Sequence, residues 1–116
     1  MVSVAAWRER QEKRRRALEA ALPAVVAQLR EMGALRVILF GSLARGEAGP
    51  RSDLDLITIL PASHNSQEWM RRIYTEVDRK IACDILAYSE QEFPDVLAHS
   101  RFLRRAVREG KVLYEA

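Results

Sequence analysis

Gly41-Ser42 and, after ten intervening residues, Asp53-Leu54-Asp55 are the residues of this chain whose types and spacing can do chemistry. They sit in the runs Phe40-Gly41-Ser42-Leu43-Ala44-Arg45-Gly46 and Ser52-Asp53-Leu54-Asp55-Leu56. One residue separates the two aspartates, so on a β-strand both side chains leave the same face, where they can share a divalent cation. A Gly-Ser turn that opens a helix offers free backbone N–H groups to a phosphate. A phosphate cradle beside paired metal carboxylates is the equipment for phosphoryl or nucleotidyl transfer.

Asp84 extends the pair. It lies in Ile81-Ala82-Cys83-Asp84-Ile85-Leu86, an apolar run in which a carboxylate is costly without a purpose. Were this strand beside the Asp53 strand, three carboxylates would converge. Two would bridge paired Mg²⁺ ions roughly 3.5–4 Å apart, and the third would take a proton from an attacking hydroxyl. Mg²⁺ suits such a site because it prefers oxygen ligands and shares its coordination with phosphates. The plainer reading of Asp84 is an edge position or a hydrogen-bonded cap.

The elements that must position these residues follow from the hydrophobic pattern. Trp7 to Met32 reads as an amphipathic helix with Leu18, Leu22, Val25, Val26 and Leu29 on one stripe, broken or kinked near Ala21 by Pro23 and capped by Gly33. Leu35 to Phe40 reads as a buried strand and Ser42 to Arg45 as one or two helical turns. The stretch from Glu47 to Ser52, with Gly49 and Pro50, is an exposed loop. Leu54 to Leu60 is a second strand closed by Pro61. Asn65 and Glu68 form a capping pair for a helix from Ser66 to Arg79, with Trp69, Ile73 and Val77 inward. Ile81 to Tyr88 is a third strand, and Ser89 with Glu92 is another capping pair. Two short helices split near Ala98 to Ser100, and an edge strand at Val112 to Tyr114 completes the series. The expected fold class is α/β (α+β), a small mixed sheet of about three to four strands packed by helices mainly on one face. The opposite face, with Asp53 and Asp55, is left as a cleft. Residues 1–116 are expected to form a single domain.

Composition narrows the class. With 116 residues, 48% hydrophobic and 30% charged, the chain suits a globular protein able to bury a core. No apolar stretch approaches the ~20 residues that span a bilayer, and no secretory h-region follows the N-terminal arginines, so a cytoplasmic location without membrane attachment is expected. Cys83 has no partner for an internal disulfide and reads as a buried, reduced thiol. The net charge of +3 tolerates an anionic substrate without demanding one. Six basic residues between Arg8 and Arg16, and the strip Arg101, Arg104, Arg105 and Arg108, read first as solvated helix faces, since no aromatic platform accompanies them, and second as surfaces for RNA or an acidic partner. His64 and His99 have no companions at zinc-ligand spacing. Trp69 reads as core, and Trp7 as a packing anchor or part of a contact surface.

The combined motifs resemble the signature of the DNA polymerase β-type nucleotidyltransferase superfamily, and the string Gly-Ser-Leu-Ala-Arg-Gly with Ser-Asp-Leu-Asp-Leu is similar to its minimal, MNT-type branch. The stretch from Arg108 to Tyr114 is similar to the usual ending of those small proteins, and the likeness covers about Leu18 to Tyr114. The resemblance implies the polymerase β-type nucleotidyltransferase fold, with Gly41 and Ser42 holding a triphosphate. It also implies Asp53, Asp55 and Asp84 as catalytic carboxylates and Mg²⁺ ligands, with two ions. Arg45 falls at the motif's arginine, to touch phosphate or to brace the loop. Leu43 stands where many relatives carry Arg or Tyr, which weakens any contact with nucleotide or partner there.

The implied reaction is attack by an acceptor hydroxyl on the α-phosphorus of ATP or another nucleoside triphosphate. By the same resemblance, the expected partner is a small helical HEPN-type protein, with this chain as antitoxin of a toxin–antitoxin pair and an oligomer as the assembly. A short domain without an acceptor-binding module is expected to depend on such a partner. RNA is the other candidate acceptor. The rival reading is a non-catalytic nucleotide-binding or partner-masking protein, and transfer to a small molecule comes last.

Overall fold

The computed structural model describes residues 3–116. Helix α1, Val4–Glu31, begins where Ser3 Oγ accepts the Ala6 N–H at 3.0 Å. Of the kink or break expected near Ala21, the break does not occur: Pro23 lies inside one continuous helix. Proline removes a single N–H, and the buried residues Leu18, Val25 and Leu29 on either side of it hold the helix to the sheet. The helix ends in a Schellman motif. Gly33 takes φ +101°, its N–H donates to Arg30 O, and the Ala34 N–H donates to Leu29 O.

Strand β1, Arg36–Phe40, runs into the single-turn helix α2, Gly41–Ala44. Strand β2 covers Leu54–Leu60, helix α3 Ser66–Glu76 and strand β3 Cys83–Ser89. Helices α4, Phe93–His99, and α5, Arg101–Glu109, lead to strand β4, Lys111–Glu115. The sheet order is β3-β2-β1-β4. β1 is antiparallel to both neighbours, while β2 and β3 run parallel, joined by the α3 crossover. This is the expected mixed sheet with helices packed on it.

α3 has the expected capping box between Asn65 and Glu68, yet it stops at Glu76 rather than Arg79. Gln28 of α1 provides the reason. Its amide donates to Asp78 O and accepts from Asp78 N–H, each at 2.7 Å, which holds the chain in a non-helical turn. Ser89 and Glu92 do pair, Ser89 Oγ accepting the Glu92 N–H at 3.1 Å. α4 starts only after Glu92, however, and the Glu92 carboxylate makes no cap. It instead accepts the Ser66 N–H at 2.9 Å, tying the starts of α3 and α4 together.

Strand alternation sorts the core into two clusters. Val37, Leu39, Leu56, Leu60 and Ile85 face α1 and α3, where Leu18, Leu29, Trp69 and Ile73 are buried. Ile38, Phe40, Ile57 and Ile59 face the other way, against Phe93, Leu103 and Ala106 of α4 and α5. The carboxylate face, expected from the sequence to be left as an open cleft, is therefore not open along its length. The α4–α5 hairpin covers part of it, because four branched or aromatic strand residues on that face need burial. Asp55 and Asp84 lie beyond that cluster, where β2 and β3 begin and β1 ends.

Candidate active site

β1 delivers Phe40 opposite Asp55, and β2 delivers Asp55 opposite Asp84 on β3. The chain must then turn sharply at Gly41. Its φ is +78°, and a Cβ there would collide with the Asp55 carboxylate. Only glycine satisfies both the backbone and the close approach. Past α2, the loop folds back on itself. Ser42 Oγ donates to Ser52 Oγ at 2.9 Å, and Ser52 Oγ also accepts the Gly49 N–H at 2.8 Å. This network fastens the start of the loop to its end and fixes where Asp53 emerges. The spacing between Ser42 and Asp53 thus has a structural cause. Leu43 points away from the loop into the first core, and Arg45 pairs with Glu47 at 3.1 Å on the outside.

A residue from outside the motif reaches this loop. Arg14 of α1 donates from Nε to Ser52 O at 2.7 Å and from Nη2 to Asp53 Oδ1 at 3.1 Å. Sequence reasoning had placed Arg14 on a solvated basic face. The available signal was helical spacing, since Arg14 lies four residues before Leu18 on the same stripe.

Asp55 is the half-buried member of the acidic group. Burial raises its pKa above the ordinary carboxylate value, the Asp84 and Asp53 charges raise it further, and Arg45 opposes them. Burial also pushes the Cys83 thiol up to about 12, Arg79 countering and the three aspartates adding to the shift, so it stays protonated at neutral pH.

Gly41, Ser42, Arg45, Asp53, Asp55 and Asp84 all line one cavity of about 850 Å³. Its other wall is apolar and aromatic, with Met70, Tyr74 and Phe102, none of which the sequence pattern had marked for the site. Met70 Sδ accepts the Ala87 N–H of the edge strand at 3.0 Å, which holds it beside the cavity. Phe102 meets Phe40 edge-on at 5.7 Å, and the Arg79 guanidinium lies over the Tyr74 ring at 5.3 Å. Tyr74 is 73% exposed and Phe102 59%, an unusual outlay of aromatic surface around an acidic floor. The cavity thus has one end suited to phosphate and cations and another suited to a flat ring.

A family profile for the nucleotidyltransferase domain matches residues 22–113. The chain belongs to this family. The fold agrees: a crystal structure of a candidate nucleotidyltransferase from Sulfolobus solfataricus is similar, with a TM-score of 0.51 and 21% identity. That match covers 92% of this chain and 85% of the other. No curated protein matches the sequence significantly. The polymerase β-type assignment expected from the motifs agrees with both findings. The profile encloses the Gly-Ser turn and all three aspartates of this nucleotidyltransferase domain, but it begins after Arg14 and Trp7.

Among the described residues, no three acidic, histidine or cysteine side chains are gathered tightly enough to cage one ion. The donor chemistry nevertheless fits a hard divalent cation. Mg²⁺ is usually held by one or two carboxylates plus substrate phosphates, so it needs no all-protein cage. The mutual repulsion at Asp55 is the kind of stress that a bound cation relieves. Also among the described residues, no helix is long and apolar enough to cross a membrane.

Proposed function

We propose that this nucleotidyltransferase domain transfers a nucleoside monophosphate, AMP from ATP in the first instance, to a hydroxyl on a partner macromolecule. The observation that carries the reading is the register of Asp55 with Asp84 on adjacent strands, beside the Gly41-Ser42 turn. Asp53, Asp55 and Asp84 would hold Mg²⁺, which when bound supplies Lewis-acid stabilisation of charge on the phosphate oxygens. Gly41 and Ser42 orient the triphosphate through the first turn of α2, whose amide N–H groups have no intrahelical partners. Arg45 braces the loop through Glu47 and adds positive charge beside it.

In the reaction, the acceptor oxygen forms a bond to the α-phosphorus as the bond to the bridging oxygen breaks. Pyrophosphate leaves with that electron pair, and the acceptor proton passes to a carboxylate. Asp84 is the choice, being exposed and, unlike Asp53, not paired with Arg14. Tyr74 and Phe102 provide surface for the flat ring of the nucleotide. The acceptor is a HEPN-type helical partner protein in a toxin–antitoxin pair, a reading supported by the motif resemblance alone.

The test is transfer of label from α-labelled ATP to a co-expressed HEPN-type partner. Wild type is expected to label the partner, and Asp53→Asn and Asp55→Asn each to lose roughly 10²-fold or more of that rate. If both variants neutralise the partner as well as wild type does, the chain acts by masking and the enzymatic reading fails.

A further inference from the structure

Upstream of Arg14, α1 has a face with no covering among the described residues. The core-facing stripe of the helix, Leu29, Val25 and Leu18, continues upstream through Arg14 and Gln11 to Trp7 and Val4 at three- and four-residue steps. No residue before Leu18 in this helix is buried. Trp7 is 46% exposed and Val4 66%. Beyond the core this stripe carries Arg14 and Gln11 and then the exposed apolar residues Trp7 and Val4, which leaves apolar surface for a partner to cover.

Two adjoining hollows lie between this arm and the active-site loop. Trp7, Arg10, Pro50 and Arg51 line one of about 830 Å³, and Arg10, Lys13 and Pro50 line the next. Among the described residues no carboxylate lines either hollow, and Arg10, Lys13 and Arg51 make no ion pair. The neighbouring Arg15 and Arg16 are, by contrast, paired with Glu12 and Glu19 on the far side of the helix. Arg10 and Lys13, beside the loop, and Arg8, away from it, are the cations of this arm without an ion pair among the described residues. Ser52 lines both the first hollow and the active-site cavity, so the two adjoin at that residue. The reading of this basic face as merely solvated rested on its lacking an aromatic platform, and Trp7 provides one.

We infer that this arm and the Gly49–Ser52 loop form the docking surface for an acidic amphipathic helix of the acceptor protein. The inference rests on the proposed transfer to a partner and adds where that partner lies and what chemistry it presents. An apolar stripe on the incoming helix covers Val4 and Trp7, and flanking carboxylates meet Arg10, Lys13 and Arg51. A polypeptide fits better than a nucleic acid, because Val4 and Pro50 give a phosphate backbone nothing to bind. The helical part of the surface, Val4 to Arg14, lies outside the segment that the family profile matches, while the Gly49–Ser52 loop lies within it.

The test uses the full chain, with the difference in fluorescence between wild type and Trp7→Phe as the signal of Trp7, since Trp69 is buried. It is titrated with a helical peptide bearing leucines on one face and glutamates beside them, with its lysine-for-glutamate twin, and with a single-stranded oligoribonucleotide. The acidic peptide is expected to shift Trp7 emission to the blue with saturation. The combined variant Arg10→Glu, Lys13→Glu, Arg51→Glu should weaken that binding by about tenfold or more, while binding Mn²⁺ with ATP as wild type does. The inference is overturned if the acidic peptide gives no shift, if the charge-reversed protein binds it equally, or if only the oligoribonucleotide binds. It is also overturned if the shift follows protein concentration alone, which would mean a second copy of this chain. Peptide binding that persists in Asp53→Asn and Asp55→Asn, with labelled transfer absent from wild type, would sink the proposed activity and leave the docking surface standing.

Discussion

Asp55 carries a conflict between function and stability that can be measured. Its folded pKa is raised, so the folded protein holds that proton more tightly than the unfolded chain does. As pH climbs from the ordinary carboxylate value through the raised one, wild type loses stability and does not regain it at higher pH. Asp55→Asn lacks this loss, so its melting temperature is expected to exceed that of wild type by a margin that opens as pH rises. Mn²⁺ should narrow the gap by stabilising wild type alone, and scanning calorimetry at several pH values checks both outcomes. Cys83 supplies a simpler measurement. With its thiol held up at about 12 and buried, it should resist alkylation at neutral pH in the native protein and react fully once unfolded. The aspartates, Gly41 and Ser42 were legible as a group because motif spacing survives in one dimension. Arg14, Tyr74 and Phe102 were not. Spacing set Arg14 on the inward stripe of its helix but not against a loop about forty positions away. Nothing local marks Tyr74 and Phe102 as facing a cavity.

At the scale of elements, the loop between α2 and β2 is held by one serine. Ser52→Ala removes a hydrogen bond to Ser42 and another from the Gly49 N–H, and is expected to cost about 1–3 kcal/mol. Because the same loss lets Asp53 wander, transfer should fall more than stability does, and urea midpoints set beside rates will separate the two. Gly41→Ala should be harsher, as it adds strain at positive φ to a collision with Asp55. Strand and helix boundaries were legible where caps and apolar runs coincided, as at Leu54–Leu60 and Asn65. They were not where a distant side chain set the limit. Gln28 ends α3 from across the molecule, and the continuity of α1 through Pro23 depends on packing at either side.

The whole molecule is one sheet with a core on each face, and the second core is the smaller. Leu103→Ala opens a hole beside Ile38 and Ile57 and is expected to cost about 2–5 kcal/mol, read as a shift in the urea midpoint. It should also loosen α5 and with it Phe102, raising the KM for nucleotide ahead of any change in kcat. That the hairpin of α4 and α5 shares a face with the carboxylates was hidden in the sequence, because alternation shows that a strand has two faces but not which helix takes each.

The pairing of Asp55 with Asp84 has a bearing on how the protein comes into being. The two residues meet only when β3 has docked parallel to β2 over the α3 crossover, a long-range closure of the slow kind. β1 in turn waits for β4, so its free edge is filled last by residues 111–115. A growing chain on the ribosome therefore keeps Asp84 apart from Asp53 and Asp55 until β3 has emerged and docked. The acidic cluster is complete only once β3 has docked, and no fragment short of β3 can bring Asp53, Asp55 and Asp84 together.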